Sequence, residues 1–225
     1  MRFSLVAVAF LVAQAVHAQG GFRFSQPDEA DRAERAEREA KAADVADALS
    51  APCRADLKNK KIMVVIGESL ASGQVVTEQR NFGPHYDAIN NRLRRLGLKT
   101  YTPEEIRRQV AQAEIDAQFR NDPDAALSAA KRLGASFVLK GLIASQANRN
   151  PMMRVNQVSV SMGFALTGSN GQLISTVDSS DASYAGANVS QAALALVNEQ
   201  ADAVVARLYT DYCRKAAPPS PAKKR

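Results

Sequence analysis

Residues 158 to 167 alternate strictly. Val158, Val160, Met162, Phe164 and Leu166 are apolar, and Ser159, Ser161, Gly163, Ala165 and Thr167 between them are small or polar. Period two over so long a run predicts a strand with one buried face. Gly168-Ser169-Asn170-Gly171 follows, and Asn-Gly readily takes the positive φ angles of a tight hairpin. Leu173, Ser175, Val177 and Ser179 continue a weaker alternation. The segment therefore predicts a long β-hairpin. A more apolar strand, Phe137 to Ile143, precedes it, across a polar, turn-rich connection from Gln146 to Arg154.

The rest of the chain reads as a covering of helices. Asp28 to Leu49 is dominated by Ala, Glu, Arg and Lys with opposite charges three and four residues apart, which favours helix. Its apolar seam is only methyl-wide, at Ala30, Ala33, Ala36, Ala40 and Ala43. Such a helix stands in solvent as an arm or docks closely on a partner helix. Ile62 to Ile66 is all apolar and closes on Gly67, as a central strand buried on both faces does. Glu68 to Arg80 reads as a loop. Phe82, Tyr86, Ile89, Leu93 and Leu96 form one face of an amphipathic helix, with Gly97 placed to cap it and Leu98 to Tyr101 as a short strand.

Thr102-Pro103-Glu104-Glu105 is a helix start with a capping box, and Ile106, Val110 and Ala113 mark the inner face of that helix. Asp122-Pro123 opens another, stopped at Gly134. Asn188 begins a last helix with Leu194, Val197, Ala201, Val204, Leu208 and Tyr212 inward. The order is helical arm, β, α, β, α, α, β, β, β, α. It predicts an α/β (α+β) fold: a mixed parallel/antiparallel sheet with a long C-terminal β-hairpin, helices packed on it, and an N-terminal Ala-rich charged helix.

The amino terminus changes the picture. Arg2, the apolar run Leu5 to Val12 and Val16-His17-Ala18 are the three parts of a secretory signal peptide, cleaved after Ala18. The expected organisation is a leader over residues 1–18, a helical arm over 19–52, one domain over 53–213 and a basic Pro-rich disordered tail over 214–225. The residue after the cut is Gln19 and not Cys, so no lipid anchor is expected, and no other apolar run approaches membrane length. The expected location is the bacterial periplasm.

Composition excludes more than it selects. The net charge is +6, the basic residues are scattered, and Trp is absent, so nucleic acid is not an expected partner. Two cysteines, Cys53 and Cys213, flank the folded part, and in an oxidising compartment an even count suggests a disulfide. Two separate buried thiols are the alternative. A metal pair finds no support, because His85 is the one histidine beyond the leader.

The strand IMVVIG, the helix ending before LGLKTY, the run AAKRLGASFVLKGLI and two long strands across a turn together resemble a recurrent envelope domain. It is the α/β domain of the amino-terminal part of TolB, of the lipoprotein activators of penicillin-binding proteins, of the curli-secretion lipoprotein and of the flagellar T-protein. Ala129 to Ile143 carries the most specific part, Leu-Gly-Ala, an apolar run and Gly. The resemblance implies a non-enzymatic module that binds other cell-envelope proteins, with no cofactor.

Candidate chemistry is thin. Gly67-Glu68-Ser69-Leu70-Ala71 nearly spells a nucleophile elbow but fails at Ala71. A hydrolase or small-ligand site using Ser69 and His85, with Glu68, stands as the alternative function. A homo-oligomer joined through the N-terminal helix is a second alternative. Asp178 and Asp181 read as a polar strand face more readily than as cation ligands. The candidate partner-binding residues are Arg149, Met152, Met153 and Arg154, because exposed Met beside Arg suits an adaptable protein-binding loop. A plain loop with its methionines tucked inward is the competing reading.

Overall fold

The structure is a computed structural model, and it describes residues 29–50, 53–69, 75–77, 83–120, 123–150, 152, 155–185 and 188–216. The leader, the segment 217–225, Met153 and Arg154 lie outside the described residues. The chain divides into two compact units, residues 1–39 and 40–225. Of the first, only the opening turns of α1 (Glu29–Leu49) are described, held by local pairs such as Arg38 with Glu34 at 2.5 Å. Ala33, Ala36, Ala40 and Ala43 are all exposed along α1.

The second unit is built on a six-stranded sheet, ordered β2-β1-β4-β5-β6 with β3 beside β1. The strands are β1 (Lys61–Ser69), β2 (Val75–Thr77), β3 (Lys99–Thr100), β4 (Phe137–Arg149), β5 (Asn156–Gly168) and β6 (Leu173–Ala185). β1 runs parallel to β3 and β4, and the remaining pairs are antiparallel. This is the mixed sheet that the alternation of strands and helices predicts, with the βαβ crossovers making its parallel part.

Helices lie on both faces. On one, α3 (Pro84–Arg95) and the long α7 (Val189–Ala216) cover a core that includes Ile62, Val64, Ile66, Leu139, Ile143 and the alternating apolar residues of β5. On the other, α4 (Pro103–Gln109), α5 (Gln112–Phe119) and α6 (Pro123–Leu133) bury Met63, Val65 and Val138 against Ile106, Ile115 and Leu133. From Ile62 to Gly67 β1 is buried on both faces, which is why its sequence carries no alternation.

Several elements differ from the sequence expectation. The Glu68–Arg80 stretch holds β2, which pairs antiparallel with the end of β1. A four-residue helix, α2 (Arg54–Leu57), precedes β1. The helix opened by Thr102 stops at Val110, which turns extended while remaining buried, and the Ala111 N–H takes the Glu114 carboxylate at 3.0 Å to start α5. The capping box itself forms, with Thr102 Oγ1 accepting from the Glu105 N–H and the Glu105 carboxylate accepting from the Thr102 N–H.

β4 does not end at Ile143. It continues through Arg149, paired residue for residue with β5 as far as Asn156. From Ser145 onward those added residues are small or polar and exposed, so no apolar periodicity marks them. The β5–β6 turn also differs. Asn170 keeps a negative φ, Gly171 alone takes the left-handed value of 80°, and the Gly171 N–H donates to Gly168 O at 2.9 Å. This is a wider turn closed by a left-handed glycine, with a bulge between Leu166 and Thr167.

Candidate partner-binding surface

Where the helices stop, the sheet is left open. α4 to α6 cover β1 and the start of β4, and past Val138 the outward face of β4, β5 and β6 carries no covering element among the described residues. Register places Leu142, Gly163 and Asp178 in one row across that face and Ala144, Ser161 and Ser180 in the next. Leu142 is 39% exposed. A shallow cleft of about 390 Å³ lies over the second row. The side chains are short, so the backbone is close to the surface.

The outer edge of this face is β6, thirteen residues that pair with β5 and with no other described strand. Its first residues are tied down: Lys215 Nζ donates to Leu173 O at 2.8 Å, and Ser175 Oγ donates to Asp211 at 2.5 Å. Further along, Ser179 Oγ donates to Gln200 Oε1 of α7 at 2.6 Å, which ties the inner face of β6 to the helix and leaves its outer edge without a partner strand among the described residues. Natural sheets guard a long free edge with charge, and Asp178 and Asp181 stand on this one, both exposed.

The sequence candidates distribute unevenly. Arg149 is the last residue of β4 and is exposed; it sits on strand, not in the connecting loop. Met152 lies in the turn beyond and is 92% exposed, its N–H bonded to Asn150 Oδ1 at 3.0 Å. The Asn150 N–H donates to Val155 O at 2.8 Å, just beyond the last strand pair.

The structure brings Glu68 and His85 into direct contact, ring Nδ1 to carboxylate Oε1, which joins the end of β1 to the first turn of α3. Ser69 does not join them. Glu68 shares the face of Ile62, Val64 and Ile66 under α3, and strand alternation turns Ser69 to the opposite face. The serine hydroxyl is thus separated from the imidazole by the sheet itself, and a nucleophile needs hydrogen-bond reach of its base. Among the described residues no group of three His, Cys, Asp or Glu could hold a metal ion.

Cys53 and Cys213 are joined, with Cα atoms 5.6 Å apart, linking the start of α2 to the last turns of α7. Beside them Lys60 Nζ donates to the Tyr212 hydroxyl at 3.3 Å, and the Tyr212 ring meets Phe137 edge-on at 5.4 Å. Sequence reasoning missed the open β6 edge, because strand order is invisible to periodicity. The only trace was the polar outer side of the hairpin, Thr176, Asp178 and Ser180.

No helix among the described residues is long and apolar enough to cross a membrane. No family model matches the sequence, and no curated protein does either. Some solved structures are similar at low identity. A PelC dodecamer from Paraburkholderia phytofirmans is 18% identical, covers 71% of this chain and 91% of its own, and has a TM-score of 0.38. The lipoprotein GNA1162 from Neisseria meningitidis is 15% identical, covers 65% and 95%, and scores 0.41. The LpoB C-terminal domain from Salmonella enterica is 14% identical, covers 61% and 91%, and scores 0.37. The likeness is low in identity and in TM-score.

Proposed function

We propose that the chain is an exported, non-catalytic protein-binding module of the bacterial cell envelope. Its partner contributes an extended segment that adds to the free edge of β6. The observation that carries this reading is that edge: nine residues, Thr176 to Tyr184, in a thirteen-residue strand with backbone donors and acceptors turned outward and no described element across them. Strand addition draws its affinity from main-chain hydrogen bonds and its selectivity from side chains on either face. Asp178 and Asp181 make the selectivity electrostatic: they favour a segment bearing Lys or Arg and oppose antiparallel pairing of β6 with its own copy, which would bring like charges together. Arg149 and Met152, at the end of the β4–β5 hairpin, extend the surface, and the sequence alone assigns Met153 and Arg154 to it. The signal-peptide pattern at residues 1–18 supports a periplasmic address, cleavage after Ala18 and the oxidising surroundings that a disulfide needs. The separation of Ser69 from His85 supports the absence of hydrolase chemistry.

The test is capture of partners from an envelope extract by the tagged mature chain, by Asp178→Lys/Asp181→Lys, and by Arg149→Ser/Met152→Ser. The expected result is a protein retained by the wild type and lost by the β6 double variant at unchanged circular dichroism. Identical retention by the wild type and the β6 variant would overturn docking at this edge, and capture of nothing by the wild type would overturn the function.

A further inference from the structure

The open side of β6 carries a fixed pattern of bonding groups. Backbone N–H and C=O groups point to opposite sides of a strand at successive residues, so one bond sets the side for all the others. The Asn150 N–H bonds Val155 O beyond one end of the β4–β5 ladder, and the Gly168 N–H bonds Gln172 O at the end of the β5–β6 ladder. Both bonds turn the even-numbered residues of β5 toward β6. Their partners Ser175, Val177, Ser179, Asp181 and Ser183 face back to β5. Thr176, Asp178, Ser180, Ala182 and Tyr184 are left, and their N–H and C=O groups face the open side.

One of these outward donors is already taken. Asp181 Oδ1 accepts the Ala182 N–H at 2.8 Å, so its carboxylate lies on the line along which another strand would pair. Asp178 is placed differently. Its Oδ1 stands 2.9 Å from the point where a Cβ would sit on Gly163, so it leans back across β5 and off the edge. Of the two acids, it is Asp181 that covers an edge donor. A carboxylate folded onto such an N–H satisfies it and denies it to an incoming backbone carbonyl. A residue directly opposite Asp181 on an added strand forms a non-hydrogen-bonded pair, the kind with Cα atoms about 4.5 Å apart and side chains close together. A Lys or Arg there meets the carboxylate through a charge-assisted bond, stronger than the one from a neutral amide. A Glu there repels it, and a neutral side chain offers it no charge.

We propose that Asp181 is the gate that makes the β6 edge selective. A segment with Lys or Arg opposite Asp181 draws the carboxylate off the Ala182 N–H, and a carbonyl of the segment's own backbone takes that donor. A neutral segment meets the donor covered, and an acidic one is repelled as well. The gate rests on the reading of β6 as a docking edge.

The probes are three fluorescent, acetylated and amidated heptapeptides of alternating Thr and Val, with Lys, Gln or Glu at the centre. They are titrated into the mature chain, Asp181→Asn and Asp181→Ala, at unchanged circular dichroism, since the side chain is exposed. Wild type is expected to bind the Lys peptide about tenfold more tightly than the Gln peptide, and the Glu peptide most weakly. Asn keeps an amide oxygen for the Ala182 N–H but no charge. Asp181→Asn is therefore expected to hold the Gln peptide as weakly as wild type and to lose the preference for Lys. Asp181→Ala uncovers the donor and is expected to bind the Gln peptide severalfold more tightly than wild type does. Charge attraction without a gate gives no such gain. An unchanged Gln-peptide affinity in Asp181→Ala would overturn the gate, while a Lys preference in wild type would leave the docking edge standing. Binding of no peptide to any of the three proteins would overturn docking and gate together.

Discussion

Gly141 sits in the middle of β4, directly across from Phe164 on β5. A Cβ built there would lie 2.4 Å from the Phe164 ring, so the ring occupies the space a side chain would need. An aromatic laid over a cross-strand glycine recovers the packing that glycine gives up. Gly141→Ala should therefore destabilise by about 1–3 kcal/mol through overpacking, read as a lower urea midpoint at unchanged slope. Phe164→Leu in the same chain should restore part of the loss, since the smaller side chain vacates the site. The sequence marks Gly141 only as a member of a strand motif. Its partner could not be read there, because the β4–β5 register is set by the connection between Arg149 and Asn156, which alternation does not encode.

Between elements, the firmest polar joint links α3 to α7. Arg92 presents its guanidinium fork to Asp202, Nε and Nη2 each at 2.8 Å from a carboxylate oxygen, while Nη1 reaches Ala88 O at 2.7 Å and Nη2 also reaches Asn198 O at 2.8 Å. The hydrogen bond from Arg92 is the main reason the Asp202 carboxyl titrates below its usual value of 3.8, against a smaller opposing effect of burial. A carboxyl depressed in the folded state contributes stability above its unfolded value, and that contribution fades as pH falls through the lower folded value. Asp202→Asn should thus be less stable than wild type at pH 7, and the difference should shrink as pH falls below 3.8. Denaturation midpoints across that range should show a flatter acid limb for the variant. Arg92 read in the sequence as one of several arginines off the apolar face of its helix. Nothing local distinguishes it from Arg94 or Arg95, and only the crossing of α7 does. The apolar faces of α3 and α7, by contrast, were legible in the spacing of Tyr86, Ile89 and Leu93 and of Val197, Ala201 and Val204, because burial on one side leaves a periodic trace.

At the scale of the whole second unit, one covalent bond spans a sequence separation of 160. Closing a loop that long restricts the unfolded chain, and the chain-entropy model assigns it about 4–5 kcal/mol, less where the denatured state is compact. Cys53→Ala/Cys213→Ala should melt at a clearly lower temperature than the oxidised wild type, and a reducing agent should lower the wild type toward the double variant without moving the variant. The pairing was open to inference from count and position. The order of strands across the sheet was not, and with it went the free edge, since an edge is a product of which strands end up as neighbours.

The clasp has a mechanical consequence. Cys53 precedes every strand of the sheet and Cys213 follows the last of them, and their sulfurs are bonded. Tension applied between the segment before Cys53 and the segment after Cys213 runs through that bond and bypasses the hydrogen-bonded strands between them. A stretching experiment on the oxidised chain should register no unfolding step for residues 54–212, and the same pull after reduction should peel the sheet apart.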